Sequence, residues 1–118
     1  DIYPDDVLKK TNNKLIIGTS NALIEEIQIS EKNNTSYIAI GSIFPTTTKT
    51  NTRPASLDLL REAKSTCLKP IVAIGGINQQ NIESVIDTGI DSVCIATAIT
   101  LAKDPEKTTK RLSKYFNI

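Results

Sequence analysis

The chain has 118 residues, 39% of them hydrophobic and 23% charged, with a formal net charge of +1. That length bounds it to one domain at most, and the near-neutral charge argues against nucleic acid or a membrane surface as its main partner. An aromatic content of 4% leaves little on which to stack bases.

Pro4 is a favourable first-turn residue, and a helix is predicted over 5–10, with Asp5 and Asp6 complementing its dipole. A first strand is predicted over 15–18. Ser20 or Asn21 then caps a helix running to about Lys32, with Leu23, Ile24, Ile27 and Ile29 facing inward. A second strand over 37–40 leads into the polar stretch 41–54, where Thr46, Thr47, Thr48, Thr50 and Thr52 are interspersed with Lys49, Asn51 and Arg53. This stretch reads either as a surface loop or as a phosphate-binding lid, with hydroxyls donating hydrogen bonds and Lys49 adding charge. Leu57, Leu60 and Ala63 mark a helix over 56–65.

The third strand, over 71–74, runs directly into Gly75 and Gly76. Glycines there allow backbone N–H groups to approach an anion at the head of the next helix. The simpler reading is a tight strand-to-helix turn. Asn78 is the expected cap of a helix over 79–87, with Ile82, Val85 and Ile86 as its buried stripe. The fourth strand, over 92–95, ends in the small residues Ala96 and Thr97. Asp87 and Asp91 read as surface, away from the loops that follow the strands. A last helix over 105–116 places Leu112, Tyr115 and Phe116 on its apolar side.

The strands are short continuous apolar runs, as expected of parallel strands covered on both faces. Their alternation with helices makes the fold class α/β. Paired glycine and small-residue ends on successive strands match the phosphate cup of many (β/α)8 barrels. The chain is short for a whole barrel, which takes about 200 residues or more. Cys67 and Cys94 lack metal-like spacing, and Cys94 reads as a buried reduced thiol in a strand. A cytoplasmic setting follows from that usage, from the absence of an apolar run of roughly 18 residues, and from the lack of a leader pattern. Histidine is absent, which removes imidazole acid–base chemistry and imidazole metal ligands.

The run Gly41-Ser42-Ile43-Phe44-Pro45-Thr46-Thr47-Thr48-Lys49 resembles the glycine–proline–isoleucine–phenylalanine–proline–threonine loop of the thiamine-phosphate synthase family. Residues 16–20 look like that family's preceding strand end, and 70–77 and 93–99 look like its two terminal strands. The four blocks occur in the family's order, with a slightly short connection between Arg53 and Pro70.

The resemblance implies a (β/α)8 TIM-type barrel, of which residues 1–118 are the last four βα units and therefore a partial domain. It implies a Mg²⁺-using transferase that joins hydroxymethylpyrimidine diphosphate to hydroxyethylthiazole phosphate and releases pyrophosphate. Ser20 and Lys49 match the residues that grip the pyrimidine diphosphate, and both are expected to serve catalysis. Thr46, Thr47 and Thr48 match the lid over the thiazole phosphate. Gly76, Ala96 and Thr97 match the phosphate cup, and Asp1 matches a Mg²⁺ ligand, although it also reads as a solvated terminus. Ser42 departs from the family's proline without removing a ligand, and Thr97 keeps the hydroxyl of a common serine.

The partners expected are small-molecule substrates, together with a second copy or a complementing N-terminal half. Three rival readings stand beside the synthase, one of them a phosphate-binding barrel of another activity, which shares the terminal cup and is separated only by the lid. A thiazole tautomerase shares the barrel and phosphate cup but relies on a histidine and lacks the threonine–lysine run. A non-catalytic phosphate-binding half barrel fits the short length.

Overall fold

A computed structural model describes residues 2–47 and 50–117. Helix α1 (Pro4–Lys10) precedes strand β1 (Gly18–Asn21), helix α2 (Ile24–Lys32), strand β2 (Tyr37–Ile40) and helix α3 (Leu57–Thr66). Strand β3 (Ile71–Ile74), helix α4 (Ile82–Ile86), strand β4 (Ser92–Cys94), helix α5 (Thr97–Thr100) and helix α6 (Pro105–Ser113) follow, and a 3₁₀ turn spans Lys114–Phe116. Among the described residues, no helix is long and apolar enough to cross a membrane.

The strands form one wholly parallel sheet in the order β1-β2-β3-β4. Gly18 lies opposite Tyr37, Ile38 opposite Ile71, and Val72 opposite Ser92. Parallel crossovers are right-handed, and a strand order that never reverses puts every crossover helix on the same side. Burial follows that topology. Ile38, Ile40, Ile71 and Ala73 are fully buried beneath Ile27 of α2, Leu60 and Ala63 of α3, and Ile82 and Val85 of α4. Ala39, Val72 and Ile74, which alternate with them, are only half-buried. The expectation that both faces of the sheet are covered therefore holds for the helix side alone.

Several predicted boundaries move. The first strand lies at Gly18–Asn21, not 15–18, and Leu15 and Ile16 are 51% and 83% exposed. Gly18 opens this strand opposite Tyr37, whose ring tip occupies the space a Cβ at position 18 would enter, with Cζ 2.1 Å away. Ser20 and Asn21 consequently belong to β1 and cap nothing. At the start of α2, Glu26 reaches back instead, its Oε1 accepting from the N–H groups of Ala22 and Leu23 at 2.9 and 3.0 Å. Leu23 and Ile29 are exposed, and the buried positions of α2 are Ile27 and Ser30.

Asn78 starts a turn, its Oδ1 accepting from Gln80 N–H at 2.9 Å, and α4 begins only at Ile82. The helix predicted over 56–65 is α3, and the Oγ of Ser56 accepts from Leu59 N–H at 3.1 Å as an N-cap. Helix α6 ends at Ser113 and tightens into the 3₁₀ turn. Asp91 is exposed as expected, yet it ties two elements together. Its carboxylate accepts from the Ile71 N–H at 2.9 Å and pairs with Lys64 at 2.8 Å.

Candidate active site

The loops that follow the strands meet around a pocket of about 210 Å³. Ser20, Gly41, Thr46, Arg53, Gly76 and Thr97 are among its lining residues, so β1, β2, β3 and β4 all contribute. A second groove adjoins the pocket, with Thr46, Gly76 and Thr97 common to both and Thr47 and Asn78 also in its wall.

Ser20 owes its place to its neighbours. Asn21 is 2% exposed, and its Nδ2 donates to Thr19 Oγ1 at 3.3 Å and to Ala39 O at 3.2 Å. Thr19 Oγ1 donates to Ser30 Oγ at 2.9 Å, and Ser30 Oγ returns a bond to Asn21 Oδ1 at 2.9 Å. This closed ring locks Thr19 and Asn21 towards α2. Strand alternation then directs Ser20 to the opposite face, where it is exposed and lines the pocket.

The polar stretch after β2 is pinned at its base. Ser42 N–H donates to Arg53 O at 2.8 Å, and Ala55 N–H donates to Ser42 O at 2.8 Å. Ile43 N–H and Phe44 N–H donate to Ile74 O and Gly75 O, both at 3.0 Å, so the loop's first residues run alongside the end of β3. That close approach requires the glycine pair. Gly75 has φ +105° and Gly76 φ +64°, and a Cβ on Gly76 would lie 2.7 Å from Pro45 O. Asn81 steadies the turn from below, its Nδ2 donating to Gly76 O at 2.9 Å and its Oδ1 accepting from Asn78 N–H at 2.9 Å.

Helix α5, which no sequence signal indicated, starts immediately after Ala96. It leaves the first-turn amides of Thr97 and Ala98 without intrahelical acceptors. The N–H groups of Gly76 and Ile77 likewise donate to no acceptor among the described residues. The loop ends of β3 and β4 thus present amides beside small side chains, an arrangement suited to phosphate oxygens.

Of the residues expected to bind substrate, Ser20, Thr46, Gly76, Ala96 and Thr97 line the pocket, and Thr47 lines the adjoining groove. Thr48, Lys49 and Asp1 lie outside the described residues. Cys94 is exposed and lines the pocket, which corrects its reading as a buried thiol. Its strand is apolar in sequence, but Cys94 sits on the sheet face that no helix covers. Thr52, one of the hydroxyls of the lid reading, lines the pocket too, and Ser42, Asn51 and Arg53 line it without having been singled out as ligands. The polar composition of 41–54 is the signal that contained them.

Glu26 organises one wall. Its carboxyl is pushed up by partial burial, but bonds from Ala22 N–H, the Arg53 guanidinium and Leu23 N–H prevail and hold it below the usual carboxylate range. Among the described residues, no group of three or more His, Cys, Asp or Glu side chains is placed to hold a metal, and no carboxylate lines the pocket.

A family model described as thiamine monophosphate synthase matches residues 1–99. The chain is 40% identical over 111 residues to a thiamine-phosphate synthase of Pyrococcus furiosus, covering 94% of this chain and 54% of that protein. It is 32% identical over 117 residues to the thiamine-phosphate synthase of Clostridium tetani, covering 99% of this chain and 56% of the relative. The solved thiamine phosphate pyrophosphorylase from Pyrococcus furiosus superposes with a TM-score of 0.87 at 36% identity, over 99% of this chain and 56% of that one. The tryptophan synthase A-subunit from the same organism superposes with a TM-score of 0.64 at 18% identity, covering 96% of this chain and 49% of that one, a likeness of fold alone. The chain spans about half the length of the curated relatives it matches.

Proposed function

Because this chain belongs to the thiamine monophosphate synthase family, we propose that it forms the phosphate-binding half of a thiamine-phosphate synthase. In this reading residues 1–118 are the last four βα units of a (β/α)8 barrel, whose open sheet face becomes the barrel interior. The observation that carries it is the convergence of Ser20, Thr46, Gly76, Ala96 and Thr97 on one pocket at the C-terminal ends of parallel strands, where barrel enzymes place their chemistry.

The reaction proposed couples hydroxymethylpyrimidine diphosphate to hydroxyethylthiazole phosphate. The bond between the pyrimidine methylene carbon and the diphosphate oxygen breaks, and pyrophosphate leaves with the electron pair. The amino-substituted ring stabilises the resulting cation, and the thiazole nitrogen lone pair forms the new C–N bond. Such a step needs little proton transfer, in keeping with a chain that has no histidine. It needs leaving-group charge met by fixed donors and two substrates held in line. Ser20 and Lys49 are assigned to the diphosphate, and Thr46, Thr47 and Thr48 to the lid over the thiazole phosphate. The amides at Gly76 and Thr97 are assigned to its phosphate group.

Mg²⁺ is the cation the resemblance implies. Hard cations of this kind take carboxylate and phosphate oxygens, whereas the described pocket offers hydroxyls, amides and a guanidinium. Its described residues therefore do not fit the ion. Asp1 remains the carboxylate proposed for it. The non-catalytic half barrel is the second reading, since the residues that line the described pocket suit phosphate binding by themselves.

Thiamine phosphate formation is the test, with both substrates and Mg²⁺ supplied to the 118-residue chain, alone and mixed with the separately produced first half of a relative. Product in either setting supports the synthase reading, and Lys49→Ala is then expected to lower turnover by about 100-fold or more while leaving the circular dichroism spectrum unchanged. No product in either setting favours the non-catalytic half barrel.

A further inference from the structure

Arg53 has the one charged side chain among the described residues that line the pocket. Its Nη1 donates to Glu26 Oε2 at 2.8 Å. Glu26 is itself immobilised through Oε1 by the Ala22 and Leu23 amides at 2.9 and 3.0 Å. The backbone of Arg53 is fixed as well, since its carbonyl accepts from Ser42 N–H at 2.8 Å. The guanidinium is thus anchored at one nitrogen, while its other N–H donors meet no protein acceptor among the described residues and the side chain is 56% exposed. A planar fork held at one corner and open at the others is suited to two-point contact with phosphate oxygens.

The position of Arg53 favours the diphosphate over the thiazole phosphate. Arg53 shares the pocket with Ser20, and neither residue lines the adjoining groove, whereas Thr46, Gly76 and Thr97, assigned to the thiazole phosphate, line both. We infer that Arg53 is a binding residue for the diphosphate of the pyrimidine substrate, and that Glu26 is the positioning residue that aims its guanidinium. This inference rests on the synthase reading for the identity of the diphosphate, and on geometry alone for the anion site.

A Glu26 carboxylate beside the guanidinium partly offsets its charge, so the contact depends on donor geometry as much as on net charge. Arg53→Lys keeps the charge and loses the fork. It should therefore fall between the parent chain and Arg53→Gln in anion affinity.

The probe is inorganic pyrophosphate, titrated calorimetrically into the parent chain, Arg53→Gln and Arg53→Lys at two salt concentrations. Arg53→Gln is expected to weaken binding by about tenfold or more and to make the salt dependence shallower, with Arg53→Lys in between. Protection of Arg53 from phenylglyoxal by pyrophosphate, read by mass spectrometry on the unmutated chain, gives the same answer without requiring any variant to fold. Equal affinity in Arg53→Gln, or no protection, overturns the role of Arg53 and leaves the synthase reading standing if thiamine phosphate is still formed. Pyrophosphate affinity lost with Arg53 in a chain that yields no product in any setting keeps the anion site and overturns the synthase reading.

Discussion

Glu26 and Asp91 each accept hydrogen bonds from a backbone N–H while pairing with a cation, Arg53 in one case and Lys64 in the other. For Asp91, as for Glu26, burial pushes the carboxyl up, and the Lys64 ammonium and Ile71 N–H more than reverse it. Both carboxyls therefore titrate below their unfolded values, and the unfolded chain binds more protons across that interval. Their stabilisation is complete above the unfolded carboxylate values of about 4 and is lost as pH falls through the folded ones. The melting temperature is expected to drop as pH falls below about 5, and Glu26→Gln and Asp91→Asn should each flatten that acid limb. A limb of unchanged slope in both variants contradicts the assignment. At this scale the places of Ser20, Thr46, Gly76 and Thr97 in the pocket lining were legible, because each is a small or polar residue placed where an apolar run stops. The Glu26–Arg53 pair was not, since 27 positions separate its members and only the return of the 41–54 loop to its own base brings them together.

Among the turns, the glycines separate two costs that sequence alone merges. Gly75 and Gly89 both have positive φ, +105° and +83°. A Cβ at Gly89 meets nothing nearer than Lys64 Cγ at 3.6 Å, whereas one at Gly75 falls 2.2 Å from Ser42 Oγ. Gly89→Ala is therefore expected to cost about 1 kcal/mol, for backbone strain. Gly75→Ala should cost at least about 2–3 kcal/mol, strain and collision together. Urea denaturation of the two variants checks the order, and equal losses would contradict the packing argument. The existence and sequence of the strand and helix units were readable from periodicity, but their starts were less so. The apolar residues Leu15 and Ile16 suggested a strand, yet the ladder begins where Gly18 meets Tyr37. Helix α5 is only Thr97–Thr100, too short to show a periodic stripe.

Across the molecule, the sheet has β1 and β4 as its edges and, among the described residues, one face without helices. Unpaired strand edges recruit further strands, and Ser20, Ile74 and Cys94 lie on or beside the uncovered face. The 118-residue chain is expected to associate as its concentration rises, with a sedimentation coefficient increasing above that of a 12.9 kDa particle. A single 12.9 kDa species at all concentrations contradicts this. Addition of the first half of a relative should suppress the self-association by occupying the same edges. The α/β class and the parallel sheet were legible because βα alternation leaves few topologies. The asymmetry of the two faces was hidden, since continuous apolar strands read alike whether one face or both are covered by the same chain.

The junction between the loop base and the end of β3 also limits how this sequence can drift. A Cβ at position 75 would meet not only the hydroxyl of Ser42 but also its Cα at 2.7 Å and its Cβ at 2.8 Å. Those last two atoms belong to every residue type but glycine, which itself keeps the Cα. The demand on position 75 is thus set by the path of the neighbouring chain and not by the identity of residue 42. In a library randomised at both positions and selected for folding, position 42 should diversify among small residues while position 75 returns glycine in nearly every survivor. One side of this contact is free to vary because the other is not.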